Sequence, residues 1–103
     1  MENLSFGQAV DAAKEGKLIA RKGWNGKGMF VFQRPTDTFT AGFIQKIVTI
    51  PPAAKKWFEN NVEENQPVFF TPYLCMKAAD NTIVNGWLAS QTDILSNDWC
   101  ILE

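Results

Sequence analysis

Two short stretches of this sequence carry residue types that could do chemistry. The first is Gly23-Trp24-Asn25-Gly26-Lys27-Gly28, preceded by Arg21 and Lys22. Glycines let backbone N–H groups approach an anion closely, the three cations add charge, and Trp24 offers a flat stacking face. Phosphate plus base is the ligand such a set could hold. It is not a Walker A loop, which needs GK[ST], and its glycines fall in a different order from the dinucleotide fingerprint. The same residues equally suit an ordinary hairpin connection with Trp24 folded over the core.

The second stretch is Trp87-Leu88-Ala89-Ser90-Gln91-Thr92-Asp93. A helix start exposes unpaired N–H groups and the positive end of its dipole, so it can seat a phosphate, and Ser90 and Thr92 add hydroxyls. Asp93 fits either as the N3 partner of Ser90 or as an acceptor for a ligand ribose or base edge. A capped helix with Trp87 as a core aromatic accounts for the same pattern.

Much other chemistry is excluded. The chain has no histidine, so no Ser-His-Asp triad, Cys-His dyad or His-ligated metal centre can be built. Among the acids, Asp80 reads as a turn residue, Asp93 as a cap and Asp98 as the polar start of a strand. The Asp and Glu residues show no DxDxDG-type spacing, so no metal site and no catalytic residue is expected. Cys75 and Cys100 lack a CxxC partner and read as small apolar residues without a disulfide.

The elements that must position these residues are short. Ser5 and Gln8 form a capping box, and Phe6, Ala9, Val10 and Ala13 follow at helical spacing, which predicts a helix over Phe6 to Glu15 stopped by Gly16. Leu18 to Arg21 and Met29 to Gln33 read as the strands of a hairpin with an enlarged loop. Phe39 to Ile50 contains β-formers and predicts a strand, broken by Pro51-Pro52. Ala53 to Asn61 predicts a helix anchored by Trp57 and Phe58. Val68 to Phe70, Tyr73 to Ala78 and Thr82 to Val84 are strand candidates, the last two forming a second hairpin through Ala79-Asp80-Asn81. Ser90 and Asp93 make a second capping box over a helical turn reaching Leu95, and Asp98 to Leu102 closes the chain as a strand. The expected fold class is α+β: a small antiparallel β-sheet built from hairpins, with an N-terminal helix and short additional helices.

Composition sets the frame. The chain has 103 residues, 46% hydrophobic and 20% charged, which suits one globular domain over residues 1–103 and excludes a disordered tail. A chain this short gains from the extra burial of a homo-oligomer. Its net charge is −1, but residues 14–34 carry +5, residues 35–103 carry −4 and residues 1–13 carry −2. A basic loop on an acidic body suits a small anion better than duplex nucleic acid. No apolar run approaches the roughly 18 residues a membrane span needs, and no secretory leader is apparent, so a cytoplasmic protein with no membrane partner is expected.

The strings Arg21-Lys22-Gly23-Trp24-Asn25-Gly26-Lys27-Gly28-Met29-Phe30, Met76-Lys77 with Ala79 to Val84, and Trp87 to Leu95 with Asp98-Trp99 resemble a phage and bacterial family of small proteins. Its members include the Thoeris anti-defence sponges of the second type. The likeness covers both ends of the chain, and residues 35–67 share no recognised pattern with it. It implies a protein of the infected host's cytoplasm that sequesters a cyclic nucleotide immune signal, glycocyclic ADP-ribose and in some members cyclic dinucleotides, without cleaving it. It further implies a homotetramer with pockets between subunits, and no cofactor. The ligand-binding residues carried over are Arg21, Trp24, Asn25 and Met29 from the first motif, with Trp87, Ser90, Gln91, Thr92 and Asp93 from the second. Trp24 is then expected to stack on a base while Arg21 and the Ser90–Asp93 turn hold phosphate and ribose.

Three other readings fit the residues. A single-stranded nucleic-acid module would use the same aromatics and cations as a stacking platform. An enzyme would hydrolyse a cyclic nucleotide through carboxylates and a divalent metal. A structural or protein-interaction subunit would present Trp57, Phe58 and the apolar middle as its interface.

Overall fold

A computed structural model describes residues 2–103. The fold is α+β, and the chain divides into two compact units, one formed by the residues up to Pro35 together with Pro72–Glu103, the other by Thr36–Thr71.

The first unit begins with α1 (Phe6–Lys14). The expected capping box is present, with Ser5 Oγ accepting from Gln8 N and Gln8 Oε1 accepting from Ser5 N. At the other end Gly16 takes φ +93°. Its N–H donates to Ala13 O and that of Lys17 to Ala12 O, the Schellman pair that closes a helix on a left-handed residue. The helix buries Ala9, Ala12 and Ala13, small residues that let it lie close to the sheet.

That sheet has five strands in the order β6-β5-β2-β1-β7. They are β1 (Ile19–Arg21), β2 (Phe30–Arg34), β5 (Tyr73–Lys77), β6 (Ile83–Asn85) and β7 (Trp99–Ile101), and every pairing is antiparallel. Both expected hairpins are present. β1 pairs β2 with Ile19 opposite Val31, leaving the glycine-rich segment as their connection. β5 pairs β6 through a turn in which Asp80 Oδ1 accepts from the N–H and hydroxyl of Thr82. Leu4 exchanges backbone hydrogen bonds with Trp99 and so covers the free edge of β7.

The core of this unit is Leu4, Ala9, Ala12, Ala13, Ile19, Val31, Met76 and Trp99, with Phe6, Trp24, Met29, Leu74, Trp87 and Ile101 packed around it. Trp99 is fully buried and meets Phe6, Trp24 and Trp87 at ring-centroid distances of 5.4, 5.3 and 6.4 Å. Cys75 is buried, Cys100 is half-buried, and both are free thiols.

The second unit departs from expectation. The strand predicted across Phe39 to Ile50 is confined to β3 (Asp37–Thr40), and the chain turns at once into α2 (Ala41–Ile44). Thr40 makes the switch, because its hydroxyl accepts from Phe43 N and caps the helix. Local capping here outweighs the β preference of the residues beyond. β3 pairs antiparallel with β4 (Pro67–Phe70), and Phe39 packs on Phe43 and Phe70. α3 (Pro52–Asn61) forms where expected, with proline at its first turn. It buries no residue, and Trp57 is 56% exposed. Trp57 is therefore not the anchor its size suggested.

Candidate functional site

The two stretches that could do chemistry meet in the first unit. β1 ends at Arg21 and delivers its guanidinium to two carboxylates from the far end of the chain. Arg21 Nη1 donates to Asp93 Oδ1 at 2.7 Å, and Arg21 Nε donates to Asp98 Oδ1 at 2.8 Å. Arg21 Nη2 reaches Asp98 Oδ2 at 3.4 Å, while the N–H of Gly23 donates to that same oxygen at 2.8 Å. The guanidinium is largely shielded, with 12% of the side chain exposed.

Asp93 lies in α4 (Gln91–Leu95), where a second capping box is complete. Ser90 Oγ accepts from Asp93 N, and Asp93 Oδ2 accepts from Ser90 N. Its other oxygen, Oδ1, accepts from Trp24 Nε1 at 3.0 Å as well as from Arg21. The backbone carbonyl of Asp93 accepts from Trp99 Nε1 at 2.9 Å. One residue thus gathers the helix cap, the guanidinium and two indoles.

The electrostatics follow from these bonds. Partial burial pushes the Asp93 carboxyl up, but hydrogen bonds from Arg21, Trp24 and Ser90 together outweigh it and hold the group below the usual carboxylate range. The Arg21 hydrogen bond, helped by Gly23 N–H, holds Asp98 below that range too. Arg21 is raised by its bonds to Asp98 and then Asp93. One cation faces two anions, so the trio carries a net charge of −1.

The sequence-predicted residues are distributed unevenly about this cluster. Arg21, Trp24, Ser90 and Asp93 are bonded together, and Trp87 packs edge-on against Trp24 at 6.1 Å. Met29 packs at the margin of the core beside Gly26, where a Cβ would collide with Met29 Sδ. Asn25, Gln91 and Thr92 are exposed around the cluster. In the chain by itself the guanidinium of Arg21 donates to two carboxylates, and the capping box of α4 occupies the N–H groups of Ser90 and Asp93. The sequence marks Asp98 only as the start of a strand, and the structure makes it a full member of the cluster. The signal for it was present in the Asp98-Trp99 pair that ends the second motif.

Among the described residues no group of three or more His, Cys, Asp or Glu side chains is placed to hold a metal ion. An open groove of about 510 Å³ lies in the second unit, between Ala41 and Gly42 of α2, Gln45 just after it, and Phe58, Glu59, Val62 and Glu64. Its two carboxylates make it a poor seat for a phosphate. No helix among the described residues is long and apolar enough to cross a membrane.

Residues 4–102 match the family described as the Thoeris anti-defense 2-like domain. A protein named Thoeris anti-defense 2, from Bacillus phage SP01, is 36% identical over 100 residues, spanning 97% of this chain and 96% of that protein. The match therefore runs through the central segment, where no shared pattern had been recognised, as well as through both motifs.

Proposed function

We propose, from the premise that this chain belongs to the Thoeris anti-defense 2-like family, that it blocks an anti-phage defence by sequestering a cyclic nucleotide signal without cleaving it. The family supports the anti-defence role. Glycocyclic ADP-ribose is the first ligand to test and cyclic dinucleotides the second. The observation that carries the reading is the convergence of the two motifs on Asp93, which holds Trp24 and Arg21 from the first and Ser90 from the second.

In this reading the parts of the site have different tasks. The cluster of Arg21, Asp93 and Asp98 carries excess negative charge, so it acts as a frame and faces uncharged donors such as ribose hydroxyls. The half-exposed indoles of Trp24 and Trp87 supply apolar surface for a base. Exposed Asn25, Gln91 and Thr92 add polar contacts, and Lys27 supplies positive charge for phosphates, with Lys22 beside it paired to Glu2 at 3.0 Å. A frame fixed before ligand arrives favours tight binding, which is what a protein working by mass action needs.

A homo-oligomer, a tetramer as the family resemblance implies, completes the site. The first unit leaves Leu88 and Leu95 exposed at 88% and 75%, beside the cluster in sequence. Apolar residues so placed are suited to a neighbouring subunit, which would also enclose a ligand that one chain leaves open.

The experiment is to incubate the pure protein with cyclic ADP-ribose isomers and cyclic dinucleotides, remove the unbound pool, heat-denature and weigh what is released. Intact ligand in stoichiometric amount is the expected result. Chemically altered ligand would mean an enzyme, and retention of nothing would favour an interaction subunit.

A further inference from the structure

We infer that Asp98 is a positioning residue that sets the pose of the Trp24-bearing loop, acting through Arg21 and the Gly23 N–H; the inference rests on the nucleotide-binding reading of the same site.

Asp98 grips the root of the loop at three consecutive residues. Its carboxylate accepts from Arg21 Nε at 2.8 Å and from Gly23 N at 2.8 Å, with Arg21 Nη2 at 3.4 Å. Its backbone carbonyl accepts from Lys22 N at 3.1 Å. The approach depends on glycine, because a Cβ at position 23 would stand 2.7 Å from Asp98 Oδ2 and 3.0 Å from Arg21 Nη2. That is closer than real Cβ atoms come, so Gly23 and Asp98 are matched parts of one contact.

The grip passes onward without Asp98 touching the aromatic. Arg21 is planar and its donors point in fixed directions. With Nε held by Asp98, Nη1 is aimed at Asp93 Oδ1, the oxygen that also accepts Trp24 Nε1. The order of transmission is Asp98 to Arg21 to Asp93 to Trp24. The Asp98 side chain is 31% exposed, so it is more solvated than Asp93 and less committed to the core. Its bonds fall on the loop root rather than on the packing of the sheet.

Asp98→Asn tests this with almost no change of shape. Three N–H donors converge on the two carboxylate oxygens, and an amide supplies one acceptor oxygen and one NH₂, so one donor must face another. Three measurements are made on the folded variant and the wild type: the ¹H–¹⁵N resonance and water exchange of the Trp24 indole N–H, the affinity for glycocyclic ADP-ribose by calorimetry, and the melting temperature. The expected result is a shifted, faster-exchanging Trp24 indole signal and an affinity lower by about tenfold, the scale of one lost hydrogen bond to a charged group. An unchanged indole signal overturns the inference whatever the ligand, because a role in stability alone would not move it. Unchanged affinity in the variant, with the wild type binding, overturns it as well. A variant that does not fold assigns Asp98 to the fold and overturns it too. A wild type that binds none of the ligand counts against the functional reading instead, and the indole signal still decides the positioning.

Discussion

Arg21 Nη1 lies 2.7 Å from Asp93 Oδ1, and this one contact joins the end of β1 to the first turn of α4 across 72 positions of sequence. Both side chains are mostly shielded, at 12% and 13% exposure, so the pair is worth more than a solvated surface bridge and less than a fully buried one. Asp93→Ala removes the pair, the Trp24 bond and half of the capping box together. It should destabilise the fold by about 2 kcal/mol, the scale of losing charge-assisted hydrogen bonds. For a domain of this size that is a fall in Tm of roughly 8–16 °C. Thermal melting followed by circular dichroism checks it, and a change under 2 °C would mean that Asp93 holds nothing together.

The same carboxylates set an acid limit. Asp93 and Asp98 are both held below their ordinary range in the folded chain. The unfolded chain therefore binds protons first as pH falls. Their contribution is complete at pH values above the ordinary carboxylate pKa of about 4 and is lost as pH drops through the folded values below that. Melting temperature should be flat from pH 7 to about 5 and fall steeply below about 4. The double variant Asp93→Asn with Asp98→Asn should start lower and show a shallower fall, since its unfolding no longer takes up those two protons. An equally steep fall in the double variant would place the acid sensitivity in other groups.

Local signals made much of the frame legible from sequence. Ser5 with Gln8 and Ser90 with Asp93 are each three residues apart, and each marks a helix start that the structure contains. Gly16 marks a stop for the same reason, since the bond pattern that closes a helix lies within five residues. The contacts that make the cluster are of another kind. Arg21 meets Asp93 and Asp98 only because β1 and β7 are sheet neighbours, with Arg21 opposite Trp99, and that pairing is not written in any short window. For this reason the sequence shows Asp98 only as the start of a strand and Arg21 as a cation without its carboxylate partners. The switch from β3 to α2 is not legible in composition because one hydroxyl, that of Thr40, decides it against the β preference of the next ten residues.

Trp24 separates packing from recognition when the right replacement is chosen. Its indole packs on Trp99 and Trp87 and donates to Asp93, so Trp24→Ala would open a cavity and cost about 3 kcal/mol at this half-buried site. Binding lost in that variant would be hard to interpret. Trp24→Phe keeps an aromatic ring against Trp99 and removes the N–H donor. It should cost about 1 kcal/mol of stability, the scale of one hydrogen bond, while weakening glycocyclic ADP-ribose binding by tenfold or more. Calorimetric titration beside a melting curve reads both quantities. Wild-type affinity in Trp24→Phe would show that the indole N–H and its bond to Asp93 do not matter to the ligand.

Gly16 and Gly26 give glycine substitutions with different causes, and so with different consequences for ligand binding. At Gly16 the backbone takes φ +93° and an added Cβ meets nothing within 4 Å, so Gly16→Ala should cost about 1 kcal/mol from conformation alone. Gly16 precedes β1, and Arg21 stands at the other end of that strand, so ligand affinity should not change. At Gly26 an added Cβ would collide with Met29 Sδ and stand 3.1 Å from Ala79 Cβ. Met29 is flexible and gives way first, but Ala79 lies on the β5–β6 turn and cannot retreat without moving backbone. Gly26→Ala should therefore displace the loop that carries Trp24 and Asn25, lowering affinity by more than its effect on Tm would suggest. Comparing the two variants by melting temperature and by affinity tests this, and equal affinity in both would show that the shape of the loop around Gly26 does not matter to the ligand.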